Sequence, residues 1–341
     1  MVHFDSAASP KYLSPPGMPM SLSSVLIVTQ QLDPHADAVI DYLETRGVAC
    51  LRLNTAELLQ DYTVSCDLTQ GEAIEISDRW GRTVSTAGLR GAYYRKPVPV
   101  GAHPEVAEGA AAFSASEAEE FLRNLYNWPG LRWVNHPQSI KRAQVKLPQL
   151  LLATRLGLRI PRTLITTDVD RARAFVRACP NGALCKPLIS TGVVIDGTPL
   201  QIWSHRLTDP EIDQVLDTVA LAPTQLQEYV EKKYEVRATV IGAQVMAVKI
   251  DSQKVERAHH DWRQVDPFTI PHEPLVLPTA ISSALLEFTR SYDLQYSAFD
   301  LICTPDDEFV FLENNPNGQY YWIELITGIP MAAAVSELLI S

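Results

Sequence analysis

Few of the usual signposts of function are present in this chain. Its five cysteines (Cys50, Cys66, Cys179, Cys185, Cys303) are odd in number, scattered and without a CxxC pair. That pattern suggests neither a zinc site nor a disulfide framework and points to a reducing cytoplasm. Positive charge is scarce as well: 29 Lys and Arg against 40 Asp and Glu leave a formal net charge of −11. Non-specific affinity for nucleic acid or an anionic membrane rests on Lys and Arg neutralising phosphates, so neither partner is expected, and any phosphate must be held locally. No apolar run approaches the roughly 20 residues of a membrane span, and the N-terminus lacks a charged-then-apolar signal pattern. Glycine is missing where a dinucleotide site would need it. Thr29-Gln-Gln-Leu-Asp-Pro34, which follows the first strand-like run, contains none, and this removes the phosphate-binding fingerprint.

What is there is the composition of a soluble globular protein, 46% hydrophobic and 20% charged over 341 residues, too long for one ordinary core. Residues 1–20, with five Pro and Gly after position 9, are expected to be a disordered tail, and Met20 could be the native start. Ser24–Thr29 reads as a buried strand, Pro34–Arg46 as a helix stopped by Gly47, and Val48–Leu53 as a second strand: a βαβ opening. A hairpin-like region over Ile74–Thr83, a strand Gly91–Pro97 and a helix near Ser116–Tyr126 complete an N-terminal α/β domain over 21–130. A central domain with a lid (131–230) is expected to hold a helical segment Ser139–Gly157, strands at Thr163–Thr166, Ala183–Pro187 and 224–230, helices Asp168–Cys179 and Asp209–Thr218, and a loop over 188–199. The C-terminal domain (231–341) takes strands 234–241 and 244–250, a long functional loop over 251–278, a helix Pro278–Tyr292, a hairpin and a final helix from Ile329.

That hairpin is the most informative stretch. Two apolar runs, Phe299–Thr304 and Phe309–Glu313, flank Pro305-Asp306-Asp307-Glu308, whose residues form turns. With those four as the loop, Thr304 pairs with Phe309 and Asp300 falls opposite Glu313. Directly opposed carboxylates repel across a strand pair. A cation removes the repulsion, and period-two alternation adds the Asn315 amide on the same face. All-oxygen ligation suits Mg²⁺ or Mn²⁺ completed by water and phosphate; a solvated acidic hairpin is the competing reading. Elsewhere, Lys186 ends a strand before a Ser-Thr-Gly loop from which an ammonium can reach a polyphosphate, and Lys146 lies on a helix face, although each taken alone reads first as a surface lysine. Gln225–Val230 could offer an adenine edge the backbone of Glu228 and Val230, or be a plain edge strand. Glu235 and Arg237 share a strand face, as a ribose acceptor beside a phosphate-binding guanidinium or as a cross-strand ion pair.

The order Lys146, Lys186, Glu228-Tyr229-Val230, Glu235-x-Arg237, then Asp300 and Glu313-x-Asn315 resembles the ATP-grasp superfamily of carboxylate–amine ligases over roughly 130–335. Tyr94-Arg95-Lys96-Pro97, Trp133–Pro137, Gly157–Pro161, Asp261-Trp262-Arg263, Phe311–Gln319 and Trp322-Ile-Glu324 extend the resemblance to the microviridin-type (graspetide) macrocyclases of ribosomal peptides. The resemblance implies an α/β ATP-grasp fold and ATP and Mg²⁺ (or Mn²⁺) as cofactors. It makes Asp300, Glu313 and Asn315 metal ligands, Lys146 and Lys186 phosphate binders, and 228–230 an adenine hinge. Glu235, where the ligases usually carry Asp, would lie near ribose; Arg237 would face the reacting groups, with Arg263 orienting the acceptor carboxylate. Lys249, which stands where many relatives have arginine, would be a further phosphate contact. The partners so implied are a precursor peptide, leader plus core, and a second copy of the chain in a homodimer. The implied reaction activates Asp or Glu side chains as acyl phosphates and closes ω-ester or ω-amide rings with Ser, Thr or Lys. The rivals are an ATP-grasp ligase of small amino acids or peptides, against which the Tyr-Arg-Lys-Pro and Asp-Trp-Arg words speak, and a non-catalytic nucleotide-binding regulator, which has no need of the Arg237 guanidinium.

Overall fold

A computed structural model describes residues 22–189, 193–195, 198–200, 204–207, 216–259 and 262–341. The expected N-terminal tail, much of the 188–199 loop, most of the Asp209–Thr218 helix and Asp261 lie outside the described residues.

The chain opens with β1 (Val25–Thr29), α1 (Pro34–Thr45) and β2 (Cys50–Asn54). Every residue of β1 is buried, as a continuous apolar run must be in a parallel sheet covered on both faces. Asp33 starts α1 by accepting from the His35 and Ala36 amides, which satisfies two of the donors that a helix start leaves open. With β3 (Gly91–Tyr94) and β4 (Trp133–Val134) the strands form a parallel sheet in the order β2-β1-β3-β4. Between β2 and β3 an antiparallel set, Tyr62–Cys66, Ile74–Asp78 and Thr83–Ser85, is interposed. The helix expected from Ser116 starts eight residues earlier, as α2 (Glu108–Tyr126), over an Ala-rich stretch of high helix propensity.

The helical segment expected unbroken over Ser139–Gly157 is two helices, α3 (Pro137–Ala143) and α4 (Lys146–Arg155), with Val145 extended between them. Gln149 explains the break. Its Nε2 donates to the Ala143 carbonyl (2.6 Å) and to the Asn314 carbonyl (2.9 Å), while its Oε1 accepts from the Asn314 amide. The open end of α3 is thus tied to a distant strand, and Lys146 becomes the first residue of a new helix.

Next come β5 (Thr163–Thr166), α5 (Val169–Arg177), β6 (Ala183–Lys186), β7 (His205–Arg206) and β8 (Thr224–Glu228), whose strands form an antiparallel sheet in the order β7-β6-β8-β5. A second antiparallel sheet holds β9 (Tyr234–Ile241), β10 (Gln244–Ile250), β11 (His272–Leu275), β12 (Tyr296–Cys303) and β13 (Phe309–Asn315), in the order β11-β10-β9-β12-β13, with α6 (Thr279–Ser291) crossing one face. Val236, Ala238, Phe299, Leu301 and Phe311 point to that face and pack on Leu285 and Phe288 of α6 and Leu150 of α4.

The 251–278 region is not one open loop. It is a chain of short helical turns ending in the edge strand β11, with its own small core of Ala258, Trp262 and Ile270 against Ile250. The final helix expected from Ile329 is present as α8 (Met331–Ile340); a short helix outside that expectation, α7 (Tyr321–Thr327), precedes it and is ended by Gly328 at φ +73°. α8 lies against the first sheet and α1: Met331, Val335 and Leu339 share a core with Val25, Val39 and Leu43.

Candidate active site

β12 and β13 place Asp300 opposite Glu313, as the sequence predicts, but by another route. The Thr304 amide donates to the Glu308 carbonyl and Asp307 is left-handed at φ +62°. The turn proper is therefore Pro305-Asp306-Asp307, and Phe309 pairs with Cys303 rather than Thr304. Three-residue hairpin loops ending in a left-handed residue are a standard alternative to longer ones. The one-residue offset is cancelled by a bulge at Leu312: Leu301 pairs with Phe311 and Asp300 with Glu313. Plain alternation would send Phe311 and Glu313 to the same face. With the bulge Phe311 enters the core, while Leu312 and Glu313 both line a cleft together with Asp300 and Asn315.

The opposed carboxylates are held apart electrostatically by different cations. Arg237, only 6% exposed, pairs with Asp300 across β9 and β12, Nη1 to Oδ1 at 2.8 Å. Arg263 and Lys146 approach the two oxygens of Glu313 at 3.3 and 3.8 Å. Burial, opposed by Arg237 and aided by Glu313, pushes the Asp300 carboxyl up to about 6. Glu313 is also penalised by burial, yet Arg263, Lys146, Lys186 and Arg237 hold it below the usual carboxylate range. Among the described residues no three His, Cys, Asp or Glu side chains cluster as a self-sufficient metal cage. Two carboxylates and one amide oxygen on one face therefore fit a hard divalent cation that takes its remaining ligands from water or phosphate.

The turn after Asn315 is fixed from three directions. Pro316, Asn317 and Gly318 carbonyls accept, in turn, from Asn135 Nδ2, Arg95 Nη1 and the Tyr296 hydroxyl. Arg95 Nη1 also reaches Asn317 Oδ1 (2.8 Å), and the Asn317 amide donates to Asn315 Oδ1 (3.2 Å). A Cβ on Gly318 would stand 2.6 Å from the Ala298 methyl, so the turn can lie against β12 only without one.

The cleft runs between the two antiparallel sheets, and Lys146, Lys186, Lys232 and Arg263 line it with the acidic pair. Lys146 Nζ donates to the Pro187 carbonyl (2.9 Å) and Lys186 Nζ to Gln227 Oε1 (2.6 Å). Glu235 is bound to Lys232 at 2.7 Å. At the expected adenine edge the Glu228 amide is committed to the Arg162 carbonyl and the Tyr229 amide to Gly182. Glu228 therefore cannot serve as a donor; its carbonyl and the Val230 amide remain. Lys249 does not reach the cleft. It pairs with Val236 across β9 and β10, whereas Arg237 pairs with Val248, so alternation puts Lys249 on the opposite face, bound to Asp251 (2.9 Å) and Glu273 (3.6 Å). Gln149, Gln227 and Lys232 also line the cleft and were not anticipated; the i, i+3 spacing of Lys146 with Gln149 and of Lys232 with Glu235 was the available signal.

No family model and no curated protein matches the chain, but solved structures do. A RiPP-associated ATP-grasp ligase of Chryseobacterium gregarium, solved with ADP and a leader and core peptide, is 26% identical over 93% of this chain and 96% of its own, with a TM-score of 0.84. The macrocyclase MdnC of Microcystis aeruginosa MRC, bound with the precursor peptide MdnA, is 26% identical over 93% and 99%, with a TM-score of 0.79. The ATP-grasp ligase PsnB, solved with a precursor variant, Mg and ADP, shares the fold at 20% identity over 94% and 99%, with a TM-score of 0.72.

Proposed function

We propose that this chain, an ATP-grasp ligase similar to those that modify ribosomal peptides, closes rings between side chains of a precursor peptide at the expense of ATP. A carboxylate oxygen of an Asp or Glu side chain attacks the γ-phosphorus of ATP and ADP leaves, giving an acyl phosphate. A Ser or Thr hydroxyl, or a Lys amine, of the same peptide attacks the acyl carbon; inorganic phosphate departs and the nucleophile loses its proton. Water is removed overall, and an ω-ester or ω-amide is formed. The observation that carries this reading is the Asp300/Glu313 pair, brought face to face by a bulge and ringed by Arg237, Arg263, Lys146 and Lys186.

Lys146 and Lys186 hold the polyphosphate, the Glu228 carbonyl and Val230 amide read the adenine edge, and Glu235 lies toward the ribose. Asp300, Glu313 and Asn315 hold Mg²⁺, or Mn²⁺ in its place, which when bound neutralises charge on the phosphate oxygens. Arg237 stabilises charge that develops on the transferred group, a task for which a buried guanidinium pays no reorganisation cost. Arg263 orients the peptide carboxylate. A leader segment docks away from the reacting side chains, and the enzyme works as a homodimer.

Mass spectrometry of a precursor peptide encoded beside the gene, incubated with the enzyme and MgATP, tests the reading. Each ring closed lowers the peptide mass by roughly 18 mass units, the water lost in acyl transfer. ATP turnover without mass loss on any precursor, or ring closure without ATP, overturns it.

A further inference from the structure

The proposed function leaves the Tyr94-Arg95-Lys96-Pro97 word without a task. Arg95 follows β3, and its amide extends that strand's ladder by donating to the Val28 carbonyl (2.8 Å). Its side chain is among the largest fully buried ones in the molecule, with Arg95 1% exposed. A buried guanidinium is costly unless it is paired and hydrogen-bonded. Asp33 is a poor partner: it caps α1, accepts from the Thr29 hydroxyl, and its Oδ2 stands 3.7 Å from Arg95 Nε, beyond hydrogen-bond reach. Among the described residues the Arg95 side chain donates hydrogen bonds to Asn317 alone, Nη1 to its carbonyl at 2.7 Å and to its Oδ1 at 2.8 Å.

Asn317 in turn holds Asn315. The Asn317 amide donates to Asn315 Oδ1 at 3.2 Å. An asparagine side chain ligates a cation through its oxygen only, and a half-turn about its last torsion exchanges that oxygen for an NH₂. A backbone N–H is met only by the oxygen, so this bond fixes which way the Asn315 amide is turned and leaves the oxygen a second lone pair. The carboxylates of the same face need no such help. Asp300 lies inside the ladder between Arg237 and Glu313, and further strand residues follow Glu313. Asn315 is exposed and is the last residue of β13, the outermost strand of the sheet. The ladder ends with it, and its position is set by the turn that follows.

We propose that Arg95 is a positioning residue of the metal site: from the N-terminal domain it holds Asn317, and through Asn317 it keeps the Asn315 oxygen in place for the cation. The proposal rests on the reading of Asp300, Glu313 and Asn315 as metal ligands. It makes the N-terminal domain part of that site, although none of its described residues lines the cleft. Asn135 acts differently. Its amide is spent on the Pro316 carbonyl and on the backbone of Gln295 and Tyr296, so it fixes the turn as a body. Only Arg95 grips the residue whose own amide holds Asn315. Partners one hydrogen bond behind a ligand typically govern metal affinity by roughly 10–100-fold.

Mn²⁺ binding to the full chain with ADP present, followed by the electron paramagnetic resonance of the free ion, reads the site without reference to ring closure. Arg95→Met, which keeps the volume and removes the donors, is expected to weaken Mn²⁺ about 10-fold, and Arg95→Lys to restore part of the loss. Where Arg95→Met does not fold, Asn317→Ala carries the test: it removes one of the two acceptors, leaves the guanidinium in place, and should weaken Mn²⁺ about 3-fold. In an Asn315→Ala background neither substitution should cost further metal affinity, because no amide oxygen is left to position. Losses that persist in full in that background overturn the role, as does unchanged Mn²⁺ affinity in Arg95→Met or Asn317→Ala. So does an equal fall in ADP affinity measured in chelator, since the turn would then be a nucleotide contact. Wild-type enzyme that takes up no Mn²⁺ with ADP gives a different result: it overturns the metal reading itself, and the positioning role with it.

Discussion

The two faces of the five-stranded sheet are built from the same strands and do opposite work. Toward α6 and α4, Phe299, Phe311, Leu301 and Val236 alternate into an aromatic core in which Phe288, Phe299 and Phe311 meet at centroid separations of 5.3 to 6.2 Å. Toward the cleft, one residue away at each step, stand Glu235, Arg237, Asp300 and Glu313. A strand that must bury one face and charge the other separates the two by the pleat alone. Where the sequence runs against the pleat, at Phe311-Leu312-Glu313, an extra residue is inserted to keep each side chain on its own face. The apolar face provides the rigidity on which charges that repel one another can be held within a few ångström.

The comparison predicts that damage to the charged face abolishes chemistry and spares the fold. Glu313→Ala and Asn315→Ala should each lower ATP-dependent ring closure on the order of 1,000-fold or more, the equivalent of several kcal/mol of lost phosphate-charge neutralisation. Melting temperature should change little, with a slight fall in Glu313→Ala because the carboxylate removed is one that Arg263, Lys146, Lys186 and Arg237 hold charged. Near-normal turnover of either variant at saturating Mg²⁺ breaks the assignment. Arg237→Ala comes next. Its kcat should fall on the order of 100-fold or more while the KM for ATP moves little, because the guanidinium acts on the reacting groups rather than on the bound nucleotide. If KM rises and kcat stays, Arg237 is a ground-state anchor.

A subtler consequence concerns pH. Burial, with the Glu313 charge beside it, pushes the Asp300 carboxyl up to about 6 from an ordinary value of 3.8. A carboxyl whose pKa is raised on folding contributes stability that is fully present below its unfolded value and is lost as pH rises through the folded one. Metal- and nucleotide-free enzyme should therefore lose about 1–3 kcal/mol between pH 4 and pH 7 through this group. Asp300→Asn should escape that loss, so thermal melts in chelator should show the variant more stable at pH 8 and the gap closing toward pH 4. MgATP should reverse the order by stabilising only the wild type. A gap that does not change with pH removes Asp300 from the account.

Much of this was legible in the sequence because it depends on short-range rules. The βαβ opening, the opposition of Asp300 and Glu313 and the shared face of Glu235 and Arg237 follow from alternation and turn chemistry. What escaped depends on distant partners. Nothing near Val145 announces a helix break, because the cause is Gln149 reaching the backbone of Asn314. The bulge at Leu312 and the three-residue turn each shift the register by one and cancel, so a simpler pairing gave the right opposition for the wrong reason. Arg95 looked like part of a recognisable word; its task, clamping the turn beyond Asn315 through Asn317, became visible only when the first sheet was brought against the last hairpin. Lys249 failed for want of a face: a resemblance supplied its role, but its pairing with Val236 turns it from the cleft.

That last difference yields the smallest expected effect and the sharpest control. Lys249 is one residue from Val248, the cross-strand neighbour of Arg237, yet it is bound to Asp251 and Glu273 on the far face. If the pleat separates stability from chemistry, Lys249→Ala should leave kcat and the KM for ATP within about twofold of wild type. Its stability cost should be no more than about 1 kcal/mol, the usual worth of a partly exposed ion pair. Steady-state kinetics beside a thermal melt decides the matter. A tenfold rise in the KM for ATP would mean that Lys249 reaches phosphate after all, and the division of labour between the two faces would fall with it.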